Sequence, residues 1–305
     1  MRILLEDKRR KDEGGRSKEW HDIMRKGLVL EGGAMRGLFS AGVMDVMMER
    51  GVTFDGIIGV SAGAAFGCNY KSGQIGRAIR YNMRFAHDKK YCSVQSFLKT
   101  GDLFGAEYAY HVVPEEYDKF DNEAFEKNPT EFYIVCTDVL TGKPIYKKCT
   151  RGGHQTYDWI RASASMPVVS KVVELEGHKL LDGGMTDSIP LAYFQQIGYE
   201  RNIVILTQPP GYQKTPNRLM PLISASLRRY PLTVAAMRNR PEMYNRQLAY
   251  LEQEEQKGNT LVIRPQEKLP IGHISHDPEK MKRVYEIGRE MGERRIQEIC
   301  DFMKE

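Results

Sequence analysis

Gly59-Val60-Ser61-Ala62-Gly63 constrains what this chain can fold into more than any other stretch. Before it, Phe54 to Val60 (FDGIIGV) is apolar and β-branched, the character of a buried strand. After it, Ala62 to Tyr70 (AGAAFGCNY) is small and apolar, as expected of a helix packed tightly on a sheet. The pentapeptide therefore reads as a sharp strand-to-helix turn that presents one serine. Glycines on either side of Ser61 let the backbone turn and keep its surroundings uncrowded. A serine at a helix N-terminus sits where the dipole and free N–H groups favour negative charge, which suits a nucleophile attacking an ester.

A second turn of the same kind lies upstream. Lys26 to Glu31 (KGLVLE) reads as a short buried strand that runs into Gly32-Gly33-Ala34-Met35-Arg36-Gly37, and Leu38 to Arg50 reads as a helix with Val43, Val46 and Met47 on one face. A glycine-rich turn between strand and helix exposes consecutive N–H groups able to hold an anion. Two readings compete, a dinucleotide-binding turn and an oxyanion hole. The first expects an acidic residue at the end of the next strand for the ribose. Here the next strand ends in the serine turn, and the oxyanion reading is preferred. The third motif is Asp182-Gly183-Gly184, which follows Lys171 to Leu181 (KVVELEGHKLL), a hairpin turning near Gly177. Alone it is an ordinary turn aspartate. Beside the other two motifs it is a candidate partner for the serine.

The order of these motifs, with Arg161 to Pro167 (RASASMP) between the second and third, resembles the patatin-like phospholipase family of serine lipid acyl hydrolases. The resemblance covers about residues 26 to 207. A softer likeness from Met220 through Pro265 to His276 points to a bacterial branch of the family with a C-terminal extension. The resemblance implies a Ser–Asp dyad, with Ser61 as nucleophile and Asp182 as its partner. It implies an oxyanion hole from the amides of Gly32, Gly33 and Ala34. Arg36 matches the basic residue usual in that loop, and Gly37, Gly59, Gly63, Gly183 and Gly184 complete the motifs. The chain departs at Ala34, where the family often has a third glycine. A negative φ is expected there, since alanine does not easily adopt φ > 0.

The expected fold is a three-layer α/β/α patatin-like domain with a mainly parallel central sheet and a helical C-terminal extension. The division is a charged segment, 1–25, with a tendency to disorder, a catalytic domain, 26–210, and an extension, 211–305, packed on it. At 305 residues the chain is long enough for this, and its 41% hydrophobic and 28% charged content is globular. Residues 1–26 carry nine Lys or Arg against six Asp or Glu and lack the apolar core of a signal peptide. No run approaches the length of a transmembrane helix. Five scattered cysteines without CxxC spacing (Cys68, Cys92, Cys136, Cys149 and Cys300) argue against a disulfide framework and a zinc site, and for a reducing, cytoplasmic setting.

Phe132 to Asp138, Ile145 to Cys149, Ile203 to Thr207 and Thr260 to Arg264 read as further strands, the last at the sheet edge. Asp277 caps a final helix from Pro278 to about Met303. Gly76 to Phe125 is an aromatic-rich, irregular insert with Tyr81, Phe85, Tyr91, Phe97, Phe104, Tyr108 and Tyr110. The sequence leaves open whether it walls an acyl pocket or packs as ordinary core and surface. Lys214 to Arg246 carries seven basic residues against one acid, Glu242, with leucines interleaved. It reads as a solvated face with a buried stripe or as a docking surface for anionic membrane. No nucleic-acid-binding motif appears, and a net charge of +5 is too modest to favour nucleic acid. His273 and His276 have i, i+3 spacing but no supporting ligands, so no metal is expected. The chemistry requires no cofactor. The expected function is hydrolysis of an acyl ester, of a phospholipid or another lipid, by an exposed Ser61. The rivals are a non-catalytic lipid- or acyl-binding protein on the same fold and a conventional Ser–Asp–His esterase.

Overall fold

The computed structural model of the protein describes residues 24–91, 93, 101–102, 105–273 and 275–304. Nearly all of the charged N-terminal segment, and Cys92, Phe97 and Phe104, lie outside the described residues. The strands are β1 (Arg25–Leu30), β2 (Gly56–Val60), β3 (Glu131–Asp138), β4 (Lys143–Cys149), β5 (Val173–Leu175), β6 (His178–Asp182), β7 (Tyr199–Ile205) and β8 (Thr260–Ile263). They form one sheet in the order β5-β6-β3-β2-β1-β7-β8, with β4 also paired to β3. β1, β2, β3, β7 and β8 run parallel; β4 and β6 are antiparallel to β3, and β5 to β6.

Alternation along the strands sets the layers. Leu28 and Leu30 of β1 face one core, shared with α1 (Gly37–Glu49), α2 (Ala62–Lys71), α3 (Arg77–Arg84), α4 (Asn122–Lys127) and α5 (His154–Ser163). Val29 faces the opposite core, shared with α6 (Leu191–Gln196) and α8 (Pro231–Gln256). The short α7 (Met220–Ser226) packs through Ile223 in a third cluster with Val139 and Leu181. This is the three-layer α/β/α arrangement. Crossovers from β1 and β2 therefore cover one face and that from β7 covers the other, so the chain switches sides between β1 and β7. Ligands of open α/β sheets sit at such a point, beyond the C-terminal strand ends.

Within the mainly helical C-terminal part, β8 extends the sheet as its edge strand beside β7, where Thr260 to Arg264 reads as one. α9 (Pro278–Lys304) is capped by Asp277, which accepts from the amides of Glu279 and Lys280. It packs on α1 so closely that a Cβ at Gly42 would lie 2.2 Å from the Tyr285 carbonyl oxygen. That contact explains why α1 is buried on every side from Gly37 to Met47 rather than on one face. The insert is also more regular than its sequence reads. It contains α3, α4 and a ten-residue π-helix, Tyr108–Tyr117. Arg77 and Arg80 clamp Asp118 at its end (3.2 and 2.7 Å). Among the described residues no helix is long and apolar enough to cross a membrane.

Candidate active site

Two strand ends meet head to head along one edge of β3. β4 occupies the other edge from Phe132 to Asp138. β2, parallel, reaches its last pairing at Val60 opposite Val135. β6, antiparallel, arrives from the far side and ends at Asp182 opposite Cys136, the next rung. The residue after Val60 is Ser61, which lines the same cavity as Asp182, and its hydroxyl lies near enough to the carboxylate to draw its pKa down.

Ser61 has φ 54° and ψ −121°, a conformation that suits glycine and costs a serine about 1–3 kcal/mol. The turn is held because its amide donates to the Ser163 hydroxyl (2.8 Å), which donates to the Val135 carbonyl (2.6 Å). Ser163 belongs to the Arg161–Pro167 motif, whose Ser165 carbonyl accepts the Asp182 amide (2.8 Å). Small residues permit the crowding. A Cβ at Gly63 would lie 2.4 Å from the Leu30 carbonyl oxygen, at Gly59 2.6 Å from the Ala64 backbone, and at Gly37 2.9 Å from the Ala62 Cβ. The expectation of an exposed serine is corrected: Ser61 is only 9% exposed, because these elements close around it.

The glycine-rich loop leaves β1 beside this turn. Among the described residues no acceptor is found for the amides of Gly32, Gly33 or Ala34, which are half-buried and line a cavity. Ala34 has φ 49°, which corrects the expectation of a negative φ. The loop is pinned on both sides. Glu31 accepts from the Thr207 amide (2.6 Å) and hydroxyl (3.0 Å) and from the Tyr244 hydroxyl (2.6 Å). That ties it to the end of β7 and to α8, and the Met35 amide donates to the His273 carbonyl (3.5 Å). A loop tethered at both ends keeps Ala34 left-handed at a cost of about 1–2 kcal/mol.

Asp182 is 6% exposed. One of its carboxylate oxygens accepts the Gly184 amide (2.7 Å), its carbonyl accepts the Thr137 hydroxyl (2.8 Å), and Gly183 passes over Val135 with no room for a Cβ. Burial pushes its carboxyl above the ordinary range, opposed by the Arg240 guanidinium, the Ser61 hydroxyl, the Gly184 amide and Lys214. Arg240 is fixed by donating to the Gly184 carbonyl.

Ser61 stands between two cavities. One is an apolar cleft of about 890 Å³, counted with its open mouth, whose walls include Phe66, Tyr81, Tyr110, Val113, Tyr157 and Ile160. Tyr91 also lines it, whereas Phe85 and Tyr108 pack edge to face against each other (6.0 Å). The other is polar, about 510 Å³, and holds Glu31, Arg36, Asp182, Lys214, Arg240 and His273. Ala34, Ser61 and Met166 border both. With Glu31 and Asp182 engaged, the cations face one another. Lys214 is pushed down to about 8 by burial and by Arg240 and Arg36, against Glu31 and Asp182. His273 is pushed down to about 4 by burial, Arg36, Lys214 and Arg240.

Gly32, Gly33, Ala34, Arg36, Ser61, Asp182 and Gly184 thus come together from three motifs. His273 lines the same cavity but accepts from Arg36 (3.0 Å), and His276 contacts the Ala86 carbonyl (3.0 Å). The sequence reading missed Glu31, Thr207, Tyr244 and Ser163. It met Lys214 and Arg240 as part of a basic segment, but both turn inward.

A family model described as patatin-like phospholipase matches residues 28–194, and another, described as a domain of unknown function (DUF6363), matches residues 230–304. The uncharacterized protein YjjU of Escherichia coli (strain K12) is 32% identical over 201 residues, covering 63% of this chain and 54% of that protein. The uncharacterized NTE family protein Mb1092c of Mycobacterium bovis (strain ATCC BAA-935 / AF2122/97) is 30% identical over 185 residues, covering 59% and 48%. The lysophospholipase nte1 of Aspergillus oryzae (strain ATCC 42149 / RIB 40) is 26% identical over 191 residues, 59% of this chain but 12% of that one. The chain thus spans about half the length of the first two relatives. With the family model covering more than half of its residues, the chain belongs to the patatin-like phospholipase family.

Proposed function

We propose that the protein hydrolyses acyl esters of lipids through a Ser61–Asp182 dyad, with the amides of Gly32, Gly33 and Ala34 as oxyanion hole. The observation that carries this reading is the convergence of Ser61 and Asp182 on one cavity beside three amides for which no acceptor is found among the described residues. Asp182 takes the Ser61 proton as Oγ attacks the ester carbonyl carbon. The amides hold the oxyanion, each worth about 3–4 kcal/mol of barrier. Collapse expels the alcohol, which leaves with the proton from Asp182, and the acyl group stays on Ser61. Asp182 then takes a proton from water, whose oxygen attacks the acyl carbon, and as the C–Oγ bond breaks Asp182 returns the proton to Ser61 Oγ, releasing the fatty acid and free Ser61.

The apolar cleft suits the acyl chain, and the polar cavity, with Arg36, Lys214 and Arg240 around it, suits an anionic head group. The same reading takes 26–210 as the catalytic unit and 211–305 as an extension that lends it Lys214, Arg240 and His273. Unpaired Cys68, Cys136, Cys149 and Cys300 support a reducing, cytoplasmic setting. Exposed Leu219, Leu222 and Leu232 among Arg218, Arg228 and Arg229 support peripheral contact with anionic membrane. Leu222→Glu then weakens co-sedimentation with phosphatidylglycerol vesicles, and unchanged binding rejects that contact.

A fluorophosphonate probe tests the central reading. The wild type labels on Ser61 and hydrolyses a p-nitrophenyl acyl ester, and Ser61→Ala does neither. A folded wild type that fails to label is a lipid- or acyl-binding protein instead. A thousandfold loss in folded His273→Ala points to a Ser–Asp–His triad.

A further inference from the structure

We infer that His111, Glu115 and His154 form a divalent transition-metal site that clamps the wall of the apolar cleft. The observations are independent of the dyad. One donor atom from each of the three lies within 4.8 Å of the others. His111 and Glu115 stand four apart on the π-helix, His154 opens α5, and the His154 Nε2–Glu115 Oε1 distance is 2.8 Å. A π-helical run is rare and recurs at functional sites.

His111 gives the site its direction. Its side chain is 7% exposed, and its Nε2 lies 3.1 Å from Asp158 Oδ1. A carboxylate only accepts, so Nε2 carries a proton toward Asp158 and Nδ1 is the nitrogen left to offer a lone pair to a metal. Nδ1 is buried and has no hydrogen-bond partner. A carboxylate on one imidazole nitrogen, with the other left as a bare base, is the outer-shell arrangement that orients metal-binding histidines.

Two imidazoles and one carboxylate suit Zn²⁺ with an open fourth position. Zinc–ligand bonds of about 2.0–2.1 Å put tetrahedral donors about 3.3 Å apart, so these must close by at most about 1.5 Å. The movable members are exposed, His154 at 68% and Glu115 at 40%. The His154 ring, now stacked on His111 at 4.7 Å, turns so that both lone pairs converge. The π-helix and α5 each wall the cleft, through Tyr110, Val113 and Pro114 and through Tyr157 and Ile160. A bound metal would fasten one wall to the other.

The test is calorimetric titration of the chelator-stripped full chain with Zn²⁺, and with Co²⁺ followed by visible absorption. The expected result is one Zn²⁺ per chain, a tetrahedral Co²⁺ spectrum, and a Zn²⁺-dependent rise in Tm. His154→Ala and Glu115→Gln change exposed groups and should fold normally while losing the metal. Asp158→Asn should weaken binding about tenfold or more. No Zn²⁺ uptake by the wild type overturns the site, and so does uptake that His154→Ala and Glu115→Gln leave unchanged.

Discussion

Ser163 holds Ser61 by its backbone: the Ser61 amide donates to the Ser163 hydroxyl at 2.8 Å, and that hydroxyl donates to the Val135 carbonyl at 2.6 Å. One small side chain thus fixes the serine turn to the strand that also aligns Asp182. Ser163→Ala leaves a buried amide and carbonyl unpaired. Stability should fall by about 1–3 kcal/mol in a denaturant titration. Loosening of Ser61 should lower kcat by about tenfold to a hundredfold with KM little changed. A variant with wild-type kcat would show that the turn needs no such anchor.

The strained Ser61 backbone makes a comparison of two inactive variants informative. Ser61→Ala and Ser61→Gly both lose the hydroxyl, but only glycine tolerates φ 54° freely. Relief of about 1–3 kcal/mol of strain, less about 0.5–1 kcal/mol of glycine entropy, leaves Ser61→Gly the more stable by about 1 kcal/mol. Thermal unfolding of the pair decides this, and an alanine variant of equal or higher Tm would show that the turn stores no strain.

Ala34 at φ 49° invites the same substitution in the oxyanion loop. Ala34→Gly should not destabilise the fold, since relief of about 1–2 kcal/mol outweighs the entropy cost. A relaxed loop should also raise kcat for ester hydrolysis. A lower Tm with unchanged kcat would mean that the loop is fully accommodated to alanine.

Burial raises the Asp182 carboxyl above the ordinary range, so the acid limb of kcat/KM should lie above the usual carboxylate value of about 3.9. The linkage follows from the same direction. A carboxyl raised by folding binds its proton more tightly in the native state, so its contribution to stability is present in acid and lost as pH rises through the folded value. Asp182→Asn should therefore be inactive yet more stable than wild type at pH 7, with the advantage shrinking as pH falls. Paired melts across acid pH check this, and an advantage that grows in acid contradicts the direction.

Lys214, pushed down to about 8, loses its charge as pH rises through that value. If its cation holds an anionic head group, KM for a lysophosphatidylglycerol substrate should rise above pH 8 while kcat stays level. Lys214→Met should have the high KM at every pH. A KM profile identical in wild type and variant would remove Lys214 from head-group binding.

The sequence by itself determined the strands, turns and helices that carry the three motifs. Strand, glycine turn and helix around Gly32 and around Ser61 follow from short-range sterics, as does the hairpin that ends in Asp182, and all three stand where they read. The layers were legible from the order of strands and helices, and Leu28 and Leu30 do face one core and Val29 the other. Tertiary structure alone decided the rest. The backbone angles at Ala34 and Ser61 depend on anchors 102 and 176 residues away in sequence, Ser163 for one and Thr207 for Glu31 in the other. The meeting of Val60 and Asp182 on consecutive rungs of β3 depends on antiparallel pairing that no local pattern specifies. Lys214 and Arg240 read as surface charge, because a cation's direction is set by which helix face packs inward, and α8 turns Arg240 toward Asp182. Propensity and periodicity act over a few residues; burial, strain and charge–charge repulsion are summed over the whole fold.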